Sequence, residues 1–386
     1  MTRVGIYVQV PFCQTKCTYC NFHTGVFSKE LYAPYVRAVC REIAEFPRLL
    51  QENGIAHVPD AVVDTVYFGG GTPSLLEPES LAEIIAAIRA RFANAFEEVT
   101  LEADPETISP EKAAAWREAG FNRISMGVQS FDDAELRAAG RMHRRENIFE
   151  ATKTLRAAGF GNLSFDLIAG LPHQTDRSWK DSVEQLLRLR PEHVSIYMME
   201  IDEGSRLGLE VLQSGDRYSA KAIPSDDSMA DYYEHASRQL AAAGYGHYEI
   251  SNWGHPGFES RHNLKYWRRE PYFGFGAGAH SFNGSQRWAN AHDPAAYANS
   301  VLQGRFPVEQ LESVSQGQAL EEELFLGLRQ LAGINLESIE EKYGAKLRPR
   351  LQELAAQGLV EWDGPRLRLS PGRLTVSNEV FVHLLE

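Results

Sequence analysis

Between Val4 and Ile201 the chain alternates six short apolar runs with amphipathic stretches of helical period, and few folds other than a parallel α/β sheet accept that alternation. The runs are Val4–Val8, Ala61–Phe68, Glu97–Ala103, Phe121–Val128, Leu163–Gly170 and His193–Ile201. Helices are expected between them at Ser28–Asn53, Pro78–Arg91, Ser109–Ala119, Arg145–Ala158 and Asp176–Arg190. Right-handed crossovers would curl six such strands into a partial (β/α)6 barrel of α/β class. Functional groups then belong at the C-terminal ends of the strands, where the connecting loops gather.

Past Gly204 the alternation stops. Ser214 to Asp227 reads as a polar loop or lid, and Ser228 to Ala243 as a helix ending at Gly244. Short polar residues from Gly304 to Gly317 suggest a boundary, which divides the chain into a barrel at 1–204, an extension at 205–304 and a C-terminal domain at 305–386. In that last part, helices at Ala319–Leu331, Leu336–Tyr343 and Leu347–Gln357 precede a hairpin around Asp363-Gly364, the order of a winged-helix-like α+β domain. The tail holds more acidic than basic residues and the whole chain carries a formal charge of -13, so nucleic acid is not an expected partner. No apolar run has membrane-spanning length and no signal peptide is visible, so the expected location is the cytoplasm, where thiols stay reduced.

Reduced thiols matter because Cys13, Cys17 and Cys20 stand at CxxxCxxC spacing directly after the first strand. Cysteines this close in one loop suit a metal centre better than a disulfide framework. Three thiolates satisfy three irons of a 4Fe-4S cube and leave the fourth open to a substrate. His23 offers the alternative, a closed Cys3His zinc knuckle. Cys40, inside the first helix, reads as a small buried hydrophobe.

The second strand ends in Gly69-Gly70-Gly71-Thr72-Pro73, glycines that let backbone groups approach a ligand which any Cβ would hold away. Glu102 closes the third strand, and Gln129, Arg141 and Asp166 stand near the ends of the next two. The CxxxCxxC loop followed by Gly-Gly-Gly-Thr-Pro resembles the radical S-adenosylmethionine (SAM) superfamily. Tyr7 six residues before the first cysteine, Gly127-Val128-Gln129-Ser130-Phe131-Asp132 and Asp166-Leu167-Ile168-Ala169-Gly170-Leu171-Pro172 narrow the resemblance to the family of oxygen-independent coproporphyrinogen III dehydrogenase. That resemblance spans nearly the whole chain. It implies a 4Fe-4S cluster on Cys13, Cys17 and Cys20, and SAM contacts from Tyr7, Gly70, Gly71, Thr72, Glu102, Gln129, Arg141 and Asp166. Tyr19, Glu200 and His280 occupy further SAM-contacting positions, where the family has Phe, Ala and Ile.

Two departures place the chain within that family. The dehydrogenase has a fourth cysteine two residues after the third, where this chain has Phe22, and it has an N-terminal extension before Tyr7 that is absent here. Both departures, with His262-Asn263-Leu264-Lys265-Tyr266-Trp267 as an HNxxYW motif, are similar to the family's heme-chaperone branch. The expected ligand is therefore heme, with His262 as axial ligand, Asn263, Tyr266 and Trp267 beside it, and Arg261, Lys265, Arg268 and Arg269 facing the propionates. His280 or His247 are the alternative iron ligands. The expected partners are heme, heme-acceptor proteins, some reached by peripheral membrane contact, and an electron donor if SAM is cleaved. Radical SAM oxidative decarboxylation of coproporphyrinogen III is the competing reading, and a zinc-knuckle regulator is a third.

Overall fold

In the computed structural model, which describes residues 1–306 and 308–385, six parallel strands lie side by side in sequence order. They are β1 (Thr2–Val10), β2 (Ala61–Gly70), β3 (Ala93–Ala103), β4 (Arg123–Gln129), β5 (Leu163–Ala169) and β6 (His193–Met198). The sheet stays open, so the architecture is the partial barrel expected. Two further sets of strands lengthen it at both edges. β8 (Asn252–Gly254) adds antiparallel to β6, and β7 (Gly246–Glu249) antiparallel to β8. At the other edge β9 (Tyr272–Phe275) pairs parallel to β1, and β10 (His280–Phe282), β11 (Gln286–Asn290) and β12 (Val308–Ser313) follow antiparallel. The segment 205–304 is thus part of one 12-stranded sheet, which continues past residue 304 through β12.

The helices between the strands form where the periodicity placed them. Ser109 caps the Pro110–Ala119 helix by accepting from Lys112 N, and Gly120, at φ 105°, ends it. Thr175 and Ser178 close a capping box on Asp176–Leu189. The one long helix expected over Ser28–Asn53 is instead a turn at Lys29–Leu31 and two helices, Tyr32–Ala44 and Phe46–Glu52. The cause is Pro47, which has no N–H to continue a helix and sits favourably in a new first turn. The region expected as a lid holds only the short irregular turn Arg217–Ala222.

Helices Gln316–Leu328, Leu336–Tyr343 and Arg348–Ala356 pack with the three-stranded antiparallel sheet β13 (Ile334–Asn335), β14 (Val360–Asp363) and β15 (Arg366–Leu369) around a separate core that includes Leu328, Leu336, Leu351 and Leu367. This is the winged-helix-like order. Among the described residues no helix is long and apolar enough to cross a membrane.

Candidate active site and cysteine loop

β1 delivers the cysteine loop to the C-terminal end of the barrel, and backbone hydrogen bonds fix it there. Cys13 N donates to Gly25 O at 2.8 Å and Gly25 N returns to Pro11 O at 3.0 Å, so the loop closes on its own base. The glycine turn after β2 lies alongside: Gly71 N donates to Val10 O at 2.8 Å and Thr72 N to Phe12 O at 2.7 Å. A Cβ at Gly71 would stand 2.5 Å from Phe12 O and 3.0 Å from Cys13 Sγ, which is why no other residue fits between turn and loop. From the other side, Thr18 N donates to Ala139 O at 3.0 Å, and the helix Arg206–Leu212 covers the loop through Leu207 N to Thr18 O at 2.8 Å.

All three thiols are half-buried. Burial pushes the Cys13 thiol up to about 11 and raises that of Cys20, so both stay protonated unless a cation compensates. Among the described residues no three His, Cys, Asp or Glu side chains are arranged around a single metal ion. His23, the fourth ligand of the knuckle reading, packs its ring against His292 at 4.2 Å.

Residues whose side chains face the barrel interior are the half-buried ones on otherwise buried strands: Tyr7 on β1, Tyr67 on β2, Glu102 on β3, Gln129 on β4 and Asp166 on β5. Tyr7 stacks on Tyr67 at 6.1 Å. Tyr67 Oη donates to Glu102 Oε1 at 2.8 Å, and Gly70 N donates to Glu102 Oε2 at 3.1 Å. Burial first, and then Asp166, pushes the Glu102 carboxyl up to about 7 against these hydrogen bonds. Asp166, also raised by burial, accepts from Ser125 Oγ at 3.4 Å. Gln129 adopts φ 64°, an uncommon conformation for a non-glycine residue that turns the chain end of β4 toward the same mouth.

Arg141 ties the cysteine loop to this wall. Its guanidinium pairs with Asp104, donates to Gly127 O at 2.9 Å and reaches Cys17 Sγ at 3.6 Å, and its Nε has no partner within the described residues. Thr72 Oγ1 donates to Asp104 Oδ2 at 3.0 Å. Asp104 and Tyr67 were not singled out from sequence. Asp104 directly follows β3 and precedes Pro105, and Tyr67 shares its strand face with Gly69; either signal could have drawn attention to them. Tyr19 packs half-buried beside the apolar cluster of Ala139, Leu171 and Leu207, Glu200 is exposed just beyond β6, and His280 opens β10 at the same end of the barrel.

The HNxxYW segment lies elsewhere. The helix Arg261–Trp267 plugs the opposite, N-terminal end of the barrel, where Arg261 N and His262 N donate to the Glu98 carboxylate at 2.9 and 3.1 Å. His262 is buried with both ring nitrogens engaged, Nδ1 to Thr65 Oγ1 and Nε2 to Tyr266 Oη, each at 2.9 Å. Burial, with Lys265 second, pulls its ring down to about 3, so it is neutral. For His262 to ligate iron, this helix would have to leave the barrel. Trp267 lies under the Arg329 guanidinium at 4.4 Å, where the C-terminal domain docks, and no side-chain hydrogen bond ties Asn263 within the described residues. The expectation that the basic island serves propionates is corrected for three of its members: Arg261 pairs with Glu97, Lys265 with Asp64 at 2.9 Å and Arg269 with Glu322 at 2.8 Å.

At the open end, three soft donors on one loop fit three irons, and the Gly70–Thr72 strip is a cradle that a Cβ would fill. A (β/α)6 sheet with such a loop and turn defines a radical SAM protein, and residues 7–186 match the family model "Radical SAM superfamily", with residues 314–372 matching "HemN C-terminal domain". The chain is 34% identical over 381 residues to the heme chaperone HemW of Bacillus subtilis, covering 97% of each chain. It is 36% identical over 378 residues to the heme chaperone HemW of Mycobacterium tuberculosis, covering 96% of this chain and 92% of that one. The chain belongs to the HemW heme chaperone family. By structure it is similar to coproporphyrinogen III oxidase (HemN) from Escherichia coli, with a TM-score of 0.82 over 99% of this chain and 90% of that one; at 22% identity the likeness speaks for the fold.

Proposed function

We propose that this protein binds heme and hands it to acceptor proteins, and that it carries a 4Fe-4S cluster on Cys13, Cys17 and Cys20 and SAM along the strand ends. The observation that carries the reading is the near full-length identity to heme chaperones. Phe22 in place of a fourth cysteine adds to it. With cluster and SAM bound, the pair would supply one-electron reductive chemistry. The chain's own part is positioning. Gly70, Gly71 and Thr72 offer backbone groups to an amino acid moiety, Glu102 and Asp166 offer carboxylates, and Tyr7, Tyr19, Gln129 and Arg141 complete the wall. Arg141 also holds Asp104 and Cys17 in one register. We place the protein in the cytoplasm, with an electron donor needed only if SAM is cleaved and with peripheral contact to membrane-bound acceptors.

The test is a pair of assays on the reconstituted protein. Hemin should bind and pass to an apo-acceptor, while coproporphyrinogen III with SAM and a strong reductant should yield no protoporphyrinogen. Sustained porphyrinogen turnover would replace the chaperone reading with the dehydrogenase one.

The Glu102 carboxyl gives a second expected outcome. Because burial raises it to about 7, it is neutral below that pH and a carboxylate above it. A cationic ligand such as SAM binds the carboxylate form. Its affinity should therefore climb as pH rises toward 7, by about tenfold per unit at the low end, and then level off. Glu102→Gln should bind more weakly and with a flat profile, measured by equilibrium dialysis between pH 5.5 and 8.5 (about three units spanning the folded value).

A further inference from the structure

We propose that Tyr67 couples the two ends of the barrel, so that a ligand drawing on Glu102 at the mouth loosens the hold on His262 at the floor and raises the affinity for heme. The inference rests on the heme-chaperone reading, with His262 in its expected role of iron ligand, and assigns that role a control.

The register of the first three strands builds the barrel interior in layers. Gly5 on β1 stands beside Thr65 on β2, and Thr65 beside Glu98 on β3; the helix Arg261–Trp267 brings His262 into this floor layer. Next, Tyr7 stands beside Tyr67 and Tyr67 beside Thr100. Gln9, Gly69 and, near the end of β3, Glu102 follow toward the mouth. Side chains two apart on a strand share a face, so a single layer separates floor from mouth, and Tyr67 belongs to it.

Two glycines let these rings close up on one another. A Cβ at Gly5 would stand 3.1 Å from both His262 Cε1 and Thr65 Oγ1, and one at Gly69 would stand 3.0 Å from the rings of both Tyr7 and Tyr67. The Tyr67 ring centre lies 5.2 Å from that of His262 with the planes 25° apart, and 6.1 Å from that of Tyr7 at 18°. Its hydroxyl reaches to the mouth layer and donates to Glu102 Oε1 at 2.8 Å. One side chain thus touches both the carboxylate expected to meet SAM and the ring expected to meet iron.

His262 has no slack of its own, because Thr65 Oγ1 holds Nδ1 and Tyr266 Oη holds Nε2, each at 2.9 Å. Freeing it requires the Tyr67 ring to yield, and Glu102 anchors that ring at its polar end. Glu102 also accepts from Gly70 N at 3.1 Å, in the glycine turn of the expected SAM cradle. A cationic ligand that takes up this carboxylate competes with the phenol for the same oxygens. Loosening at the mouth lowers the cost of freeing His262, and by linkage heme raises the affinity for SAM by the same factor.

The test is hemin titration of the full-length, cluster-loaded protein without reductant, with and without saturating SAM, for wild type and Tyr67→Phe. SAM binding is measured in turn by equilibrium dialysis with and without hemin. Tyr67→Phe keeps the ring and removes only the hydroxyl that meets Glu102. In wild type, SAM should tighten hemin binding about fivefold to tenfold, and hemin should tighten SAM binding equally. In Tyr67→Phe each ligand should bind at the tighter of its two affinities whether or not the other is there, so the factor falls to about one. A merely structural loss would weaken both ligands and leave the factor at its wild-type value. Hemin affinity indifferent to SAM in wild type, or a factor that survives in Tyr67→Phe, overturns the inference with the chaperone reading intact. If wild type takes up no hemin, the chaperone reading falls and this inference with it. Iron content before hemin addition and circular dichroism, expected to be unchanged in Tyr67→Phe, show that the variant is folded and loaded.

Discussion

Replacing Cys13, Cys17 and Cys20 together with alanine is expected to take iron from about four per chain after anaerobic reconstitution to near zero, with loss of the broad visible absorbance. The effect should be all or none, because the loop is closed on itself by backbone hydrogen bonds and no other thiol is within it: Cys40 packs against the core on a helix. Cys40→Ala should accordingly keep its iron. One zinc per chain in place of iron would overturn the cluster assignment, although His23 lies against His292 and not among the thiols.

Lys265→Met should destabilise the protein by about 3–5 kcal/mol, since it strands the buried Asp64 carboxylate without its main partner. Lys265 and Asp64 side chains are only 4% and 9% exposed, so water cannot replace the lost charge. Arg3, 3.6 Å from Asp64, should hold the loss toward the lower end of that range. The measurement is the urea midpoint, and the double change Lys265→Met with Asp64→Leu should recover most of it. A midpoint that does not move would mean that the helix Arg261–Trp267 is not anchored in the barrel floor as described.

That helix also shows where sequence reading runs out. The six barrel strands were legible because apolar runs and helical periods alternate without interruption, and the residues at the mouth followed from where strands end. Arg261, Lys265 and Arg269 read as a free basic island because their partners, Glu97, Asp64 and Glu322, are far away along the chain. Only folding brings them together. His262 shows the same limit: nothing local in that polar, aromatic segment announces Thr65 at one ring nitrogen. Pro47 was visible, and its break in the first helix could have been foreseen from its missing N–H. β9 was not, being four residues of a glycine-rich run whose strand character comes from its neighbour, β1.

The pairing of β9 with β1 has a consequence for biosynthesis. Gly5 to Val8 find their second partner only at Tyr272 to Phe275, so the outer edge of the first strand stays open while nearly the whole barrel is being translated. At ordinary ribosomal speeds of about 5–20 residues per second, that interval is roughly 10–50 s. An apolar strand with an unpaired edge is a template for pairing with other chains, so the edge of β1 is open to such pairing during that time. The cysteine loop hangs from the same strand, whose outer edge is covered only once β9 docks.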